Sequence, residues 1–174
     1  MAVKKLRKAQ VQQLRERWKG NVVNRIVVAL NEARSIQPIL RRVPLPEGVP
    51  ASDRRLDLRG IDFSHQNLRG PWKFEGDIRT RRGVDLEGAD LTAADLNWAI
   101  LLRANLTRVI LRDGNLDHAE LVYADLSGAD LTGASLEGAW LLYTNLHGAK
   151  ITEEQLRSRR NLGQMDFDYH AYER

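Results

Sequence analysis

The side chains best suited to acid–base or metal chemistry lie far apart in this chain of 174 residues. Asp117 adjoins His118, but no serine or cysteine stands at a matching position to act as a nucleophile. In an extended tail, Asp166, Asp168 and His170 would share one side, which gives three metal ligands without a fourth. We therefore predict that the protein is not an enzyme and has no cofactor, metal or small-molecule substrate. The four histidines, read as ordinary residues scattered over different faces, are His65, His118, His147 and His170.

We expect a soluble chain. It contains no cysteine, so a disulfide framework and a cysteine nucleophile are both excluded. The longest apolar stretch, residues 22–30, contains Arg25 and is too short to span a bilayer. The basic start, MAVKKLRKAQ, lacks the apolar core of a secretory signal. We expect a cytoplasmic protein without an integral membrane segment.

The net charge of +4 hides an asymmetry along the chain. Residues 1–83 contain 19 Lys/Arg and 8 Asp/Glu, whereas residues 84–150 contain 4 Lys/Arg and 10 Asp/Glu. A basic front is therefore joined to an acidic middle, and the two parts would favour different partners.

One stretch has a repeat of five residues. From Leu86 to Ile151 every fifth residue is apolar, 14 in all, and the residue two before each is small, alanine in 10 of the 14. A period of five is neither the 2 of a strand nor the 3.6 of a helix. We predict a solenoid in which each unit forms one short side and stacking buries the apolar centres.

The repeat resembles that of the pentapeptide-repeat family, whose unit is written A-(D/N)-L-x-x. GADLTAADLN, RANLT, YADLSGADLTGASLEGA and TNLHGA match it residue by residue, and LDLRGIDFSHQNLRG (56–70) matches more weakly. The resemblance implies an all-β solenoid, a right-handed quadrilateral β-helix of about twenty residues per coil. It also implies one alternative function, because some members resemble B-form DNA and inhibit or protect type II topoisomerases such as gyrase.

We divide the chain into four parts. They are N-terminal basic amphipathic helices (1–38), a Pro-containing connector (39–55), the β-helix with a loop insertion at 71–83 (56–151), and a C-terminal capping helix and tail (152–174). The insertion follows because Leu68 and Leu86 are eighteen residues apart, which is not a multiple of five. Thr152 and Gln155 match a capping box, which predicts a helix to about residue 161 that covers the end of the stack.

With twenty residues per coil, residues twenty apart stack in columns, and the outer surface can be assigned face by face. We expect asparagine amides to alternate with carboxylates and to hydrogen-bond along the columns. The first face carries Asp85, Asn105, Asp125 and Asn145, the second Asp90, Ile110, Asp130 and Lys150, and the third Asp95, Asn115 and Ser135.

The fourth face differs because most of its outward residues are apolar or aromatic. Exposed contiguous apolar patches mark interfaces, and aromatic residues and arginine are enriched in interface cores. We predict that this face binds a protein partner or a second copy of the chain, as a homodimer. Its columns are Ile100/Glu120/Trp140, Leu102/Val122/Leu142 and Arg103/Tyr123/Tyr143.

The N-terminal segment reads as two helices. Residues 3–19 place their apolar side chains on one arc, Gly20 ends this helix, and Asn21 can cap a second helix that runs to about residue 34. The second helix is apolar around more than half of its circumference, so it needs a partner surface. We expect it to dock on the fourth face of its own chain or of a second copy through Val22, Val23, Ile26, Val27 and Leu30.

Three functions are consistent with these features. The favoured one is a non-enzymatic scaffold or protein-binding module that uses the fourth face and the helices. A DNA-mimic modulator of gyrase fits less well, because the regular units make under four coils and asparagine interrupts the carboxylate column of the first face. Binding of nucleic acid or an anionic surface is a further alternative, through Lys4, Lys5, Lys8, Arg15, Lys19, Arg41, Arg42, Arg81 and Arg82.

Overall fold

The structure is a computed structural model that describes residues 8–32, 35–43, 56–68, 72–75, 78–81 and 83–157. Its regular elements are four helices and two strands in the described residues. They are α1 (Lys8–Glu16), α2 (Val22–Asn31), α3 (Gln37–Leu40), β1 (Trp72–Glu75), β2 (Ile78–Arg81) and α4 (Glu153–Arg157).

The body of the fold is a stack of four-sided coils. Parallel bridges join residues twenty apart on each side, for example Asp85 to Asn105 on the first side and Ile100 to Glu120 on the fourth. This is the β-helix that the repeat predicts. Its right-handedness stays an expectation from the resemblance.

The core is built from the two inward columns. All 14 apolar centres from Leu86 to Ile151 are buried, and so is the small residue two positions before each. Two residues after each centre the chain turns a corner, often with a left-handed backbone. Gly88 has the expected positive φ of 63°, but Trp98 and Tyr143 adopt φ 57° at equivalent corners. The corners therefore carry large side chains as well as the glycines that a positive φ favours.

The first coil is displaced from the others by an insertion. Asp57 pairs with Asp90 and Asn67 with Ile100, so the offset is 33 residues rather than 20, which leaves 13 inserted residues. The insertion contains an antiparallel hairpin in which Trp72 of β1 lies opposite Arg81 of β2. The expected loop at 71–83 thus contains regular structure.

Helices α1 and α2 cover the N-terminal end of the stack. An inner coil has carbonyls that accept backbone N–H groups from the coil before it; Asp90 O accepts from Leu58 N at 2.8 Å. The first coil has no such neighbour, and buried carbonyls without a donor are costly. Side chains supply the donors instead. The bonds are Arg17 Nη2 to Asp57 O at 2.9 Å, Trp18 Nε1 to Arg59 O at 2.9 Å, and Asn31 Nδ2 to Asn67 O at 2.7 Å.

The docking of α2 on the fourth face of its own chain is therefore wrong. Asn31, the last residue of α2, donates to Asn67 O of the first coil, and Ile26 and Leu30 are buried in the core that continues through the stack. Val22, Val23 and Val27 pack against the same core and are half-buried. The end of the stack attracts the helix because it combines exposed apolar centres with carbonyls that need donors, whereas the backbone of a side face is already paired.

Other N-terminal predictions are corrected in detail. Asn21 occupies the N-cap position of α2, but its side chain makes no capping hydrogen bond. The connector predicted from residue 39 begins inside α3, because Ile39 and Leu40 are helical. Residues 1–7 and 44–55 lie outside the described residues, and with them the predicted start of the first helix and most of the connector.

The C-terminal end is closed by the predicted capping box. Gln155 N donates to Thr152 Oγ1 at 3.2 Å, and Thr152 N donates to Gln155 Oε1 at 2.9 Å. The Gln155 amide also donates to the carbonyls of Leu131 and Ala134, at 2.7 and 2.8 Å. In the regular stack, Ala134 O would accept the backbone N–H of residue 155, as Gly114 O accepts that of Ser135. The Gln155 side chain thus takes the place of a further coil. Residues 158–174 lie outside the described residues.

Two ion networks stabilise the stack. Asp57 accepts Arg59 Nη2 at 2.9 Å and lies 3.4 Å from Arg17 Nη1. Burial would raise the pKa of Asp57, but the hydrogen bond from Arg59 and the charge of Arg17 outweigh it and lower the pKa. On the second face, burial likewise opposes the hydrogen bonds from Arg112 and Thr132, which lower the pKa of Asp130 to about 2.

Candidate interaction face

The described residues leave the fourth face open. Tyr123, Trp140 and Tyr143 are 49%, 42% and 45% exposed although α1 and α2 are docked. All eight predicted interface residues lie on this one side: Ile100 and Trp140 are bridge residues that join its coils, and the other six lie two or three positions after such a bridge residue. The sequence therefore predicted an apolar face that is exposed in the described residues, and helix α2 of the same chain does not cover it.

The fourth face presents three columns of side chains that run parallel to the stack axis. Its middle column, Leu102, Val122 and Leu142, is half-buried. The more exposed Trp140 lies in the column on one side, and Tyr123 and Tyr143 lie in the column on the other. Coils stack at about 4.8 Å, so the three coils make a face about 15 Å high.

The column of Arg103, Tyr123 and Tyr143 is a stacked ladder. The rings of Tyr123 and Tyr143 lie 4.9 Å apart with planes inclined by 13°. The guanidinium of Arg103 lies 4.9 Å from the Tyr123 ring, in range for a cation–π contact. Neighbouring side chains of this column are thus in contact along the stack axis.

The corner that precedes the face carries a second ladder, which the sequence reasoning missed. Trp98, 50% exposed, stacks on His118 at 4.4 Å and on His65 at 6.5 Å. Two histidines read as scattered therefore share one column. Trp98 and His118 could have been found from their spacing of twenty, whereas His65 is displaced by the inserted hairpin.

A glycine ends this second ladder for a steric reason. A Cβ at Gly138 would lie 2.4 Å from Nδ1 of His118, because the imidazole lies over this residue. Gly148, at the same point of a later repeat, has no atom within 4 Å of its Cβ position. The missing side chain at Gly138 thus leaves room for the imidazole in its stack.

The face carries one charge of each sign on its two sides. Glu120 lies between Ile100 and Trp140 in one column, whereas Glu137 belongs to the adjoining third face, two residues after Ser135. Neither carboxylate forms an ion pair within the described ranges. Arg103 lies in the column on the other side and is exposed.

Carboxylates in the acidic columns of the other faces accept hydrogen bonds from side chains of the same chain. Asn105 donates to Asp85 at 3.0 Å and Asn145 to Asp125 at 3.2 Å, which confirms the expected amide ladder. On the second face Asp130 is buried and bonded to Arg112. These carboxylates hold the coils together.

The remaining candidate sites are less defined. Among the predicted anion-binding residues, Lys8, Arg15, Arg41 and Arg42 are exposed, while Lys19 pairs with Glu16 at 2.7 Å. The structure does not describe Lys4, Lys5 or Arg82, nor the side chain of Arg81. The candidate metal ligands Asp166, Asp168 and His170 also lie outside the described ranges.

Two searches were restricted to the described residues. They contain no group of three or more His, Asp or Glu side chains that could hold a metal ion. Within the same ranges, no helix has both the length and the apolar character needed to cross a membrane.

Comparison with known proteins identifies the family of the repeat. The sequence model of pentapeptide repeats matches eight copies over residues 82–108, 99–138 and 129–153. A pentapeptide repeat protein from the thylakoid lumen of Arabidopsis thaliana is 30% identical, with 61% of this chain and 70% of that chain covered and a TM-score of 0.29. The chain belongs to the pentapeptide-repeat family.

Further solved structures are similar to part of this chain. The pentapeptide repeat protein alr5209 from Nostoc is 37% identical over 56% of this chain and 65% of its own, with a TM-score of 0.26. QnrB1, a plasmid-mediated fluoroquinolone resistance protein, is 14% identical over 57% of this chain and 62% of its own, with a TM-score of 0.33. No curated protein gives a significant match to the sequence.

Proposed function

We propose that this protein is a non-enzymatic scaffold that binds a protein partner through its fourth face. The observation that carries the proposal is the exposure of Tyr123, Trp140 and Tyr143, 42–49%, on one contiguous face while the helices cover another surface. Tryptophan and tyrosine dominate the binding energy of interfaces, and the half-buried aliphatic side chains beside them, Leu102, Val122 and Leu142, can be fully desolvated by a partner. The N-terminal helices close the stack and are not the occupant of the face in the same chain.

Site-specific photo-crosslinking tests the proposal. Trp140 is replaced by benzoylphenylalanine in cells that naturally contain the protein, and Lys150, exposed on the second face, receives the same residue as a matched control. We expect a discrete adduct from position 140, none from position 150, and loss of the adduct when Val122→Asp is added. Equal labelling from both positions would refute the proposal, and the adduct mass separates a second copy from another partner.

The DNA-mimic function has weaker support. Asp85 and Asp125 accept asparagine amides along their column, and Asp130 is neutralised by Arg112. These carboxylates are therefore less available than the free phosphates they would imitate. A gyrase supercoiling assay with purified protein tests this alternative, which needs inhibition or protection at micromolar concentration.

Binding of nucleic acid or an anionic surface through the basic front remains the third candidate. Phosphate contacts would give binding that weakens steeply with salt. A titration with duplex DNA at two salt concentrations measures this directly.

A cytoplasmic location is part of the scaffold proposal, and imaging of a tagged copy tests it.

A further inference from the structure

The C-terminal end of the stack has an open backbone edge. Within the stack, each side of a coil donates backbone N–H groups to the next coil; on the fourth side, Leu121 N donates to Trp140 O at 2.9 Å. One coil later, Leu141 N and Tyr143 N have no backbone acceptor within the described residues. This side of the last coil is therefore a short strand without a neighbour, and such an edge pairs readily with a further strand.

Helix α4 does not fill this edge. It closes the neighbouring third side, where the Gln155 amide donates to the carbonyls of Leu131 and Ala134. None of the α4 side chains is buried. Leu141 is nevertheless fully buried, although it belongs to the last coil. A segment beyond α4 is therefore needed to cover the apolar centres and to accept the amides of the fourth side.

The chain after α4 contains a segment with the pattern of a strand. In MDFDYHA (165–171), apolar and polar residues alternate without exception. Strict alternation of this length is typical of a half-buried strand, and aromatic residues are enriched in strands. The apolar set is Met165, Phe167, Tyr169 and Ala171, and the polar set is Asp166, Asp168 and His170.

The segment can reach the fourth side in the direction of the coil. The chain passes from the third side to the fourth in every coil, and all bridges between coils are parallel. Gln155 lies at the third side, so the fourth side comes next. Residues 158–165 span up to about 26 Å when extended, whereas the five residues of one side span at most about 17 Å. The segment thus arrives beside Leu141 as a parallel strand without a reversal of the chain.

The regular stack dictates which side of the segment would point inward. On the fourth side the bridge residue Trp140 is exposed and the next residue, Leu141, is buried. A strand in the same register that places Phe167 over Leu141 turns Asp166 and Asp168 outward. The opposite register would bury these carboxylates without a partner, which is costly.

We propose that residues 165–171 add to the last coil as a parallel strand on its fourth side, with the apolar side of the strand over the apolar centres. Its carbonyls accept Leu141 N and Tyr143 N, and one of its amides donates to Ala139 O, which has no backbone donor within the described ranges. The strand closes an edge that would otherwise pair with other chains. This inference concerns the end of the stack, so it stands or falls independently of the proposed partner of the fourth face.

Amide hydrogen exchange, followed residue by residue by NMR, tests the proposal. In the full-length protein, the amides of Leu141 and Tyr143 should be protected. In a variant chain that stops after residue 163, both should exchange at least tenfold faster, because the acceptors are gone. The amides of Leu121 and Tyr123 are the matched control. They donate to the last coil itself and should change less than twofold.

A pair of full-length variants decides the question even if the shorter chain does not fold. Phe167→Lys puts a charge on the side of the strand that faces the apolar centres, so the exchange of Leu141 should accelerate at least fivefold. Asp168→Lys introduces the same residue one position later, on the outward side, and should change this exchange less than twofold. The Cα chemical shifts of residues 165–171 should be those of an extended chain.

Several results would overturn the inference. Free exchange of Leu141 and Tyr143 in the full-length protein would show that no strand lies on this edge. Protection that persists in the shorter chain, or equal effects of the two lysine variants, would show that another segment covers it. Helical chemical shifts would exclude the strand. Protection that falls on dilution, together with a particle of twice the chain mass in sedimentation, would make a second copy the occupant.

Discussion

The N-terminal cap gives the sharpest test of how this fold is closed. We predict that Trp18→Phe destabilises the protein through one lost hydrogen bond more than through lost volume. The indole Nε1 of Trp18 donates to Arg59 O at 2.9 Å, and the side chain is 6% exposed. Phenylalanine keeps an aromatic ring at the site but has no donor.

The magnitude follows from the environment of the carbonyl. Leaving a buried acceptor without its donor costs about 1–3 kcal/mol. The smaller ring also loses part of the packing, and the guanidinium of Arg17, 4.3 Å from the Trp18 ring, loses part of a cation–π contact worth about 0.5–1 kcal/mol. We expect a total loss of about 2–4 kcal/mol in the free energy of unfolding.

Urea denaturation followed by far-UV circular dichroism measures the change, and hydrogen exchange by mass spectrometry locates it. Trp98→Phe is the matched control, because it makes the same substitution at a corner where the tryptophan is 50% exposed. Its cost should stay within about 0.5–1 kcal/mol. In Trp18→Phe the amides of α1 and of the first coil should lose protection before those of the later coils.

The reasoning would be refuted if the two variants lost the same stability. It would also be refuted if Trp18→Phe lowered protection evenly along the stack, because the indole would then contribute no local closure.

Three further predictions concern the rest of the stack. Asp130→Asn should lower the free energy of unfolding by up to about 2 kcal/mol at neutral pH, because the folded-state pKa of Asp130 is lowered to about 2. This advantage of the native residue is present above about pH 4 and is lost as the pH falls toward 2. Denaturation of both proteins at a series of pH values measures the difference. Gln155→Ala removes the capping box and both carbonyl contacts, so thermal melting should show a loss of about 1–3 kcal/mol, and an unchanged melting curve would contradict the proposed closure. Gly138→Ala should cost more than Gly148→Ala, because both have positive φ but only the first Cβ meets an imidazole, and NMR should show His118 displaced; equal costs would contradict the steric argument.

Much of the fold could be predicted because each five-residue unit repeats the same local solution. The spacing of the apolar centres dictates the five-residue unit, and the twenty-residue coil that the family resemblance implies then places every column from Asp85 to Lys150. The capping box at Thr152 and Gln155 was also readable, because it depends on a contact over three residues. Local and periodic interactions leave their full pattern in the sequence.

The candidate face was predicted for the same reason. Its residues recur at intervals of twenty, so Ile100 and Trp140 could be placed on one side before any coordinates. Trp98 and His118 are also twenty residues apart, so their stacking could have been predicted in the same way. It was missed because the histidines were considered only as possible ligands.

Only the tertiary structure decided what breaks the period. The offset of 33 residues depends on an inserted hairpin, so the stacking of His65 over Trp98 could not be counted from the sequence. The docking site of α2 depended on which carbonyls of the first coil lack a backbone donor, because α2 packs at that end of the stack and not on the fourth face. The sequence by itself determined the five-residue unit, which follows from spacing, and with the coil length that the family resemblance implies it also determined the columns and the apolar composition of one face. The surface that each unpaired group finally contacts depends on long-range contacts, and the spacing of residues in the sequence does not encode these.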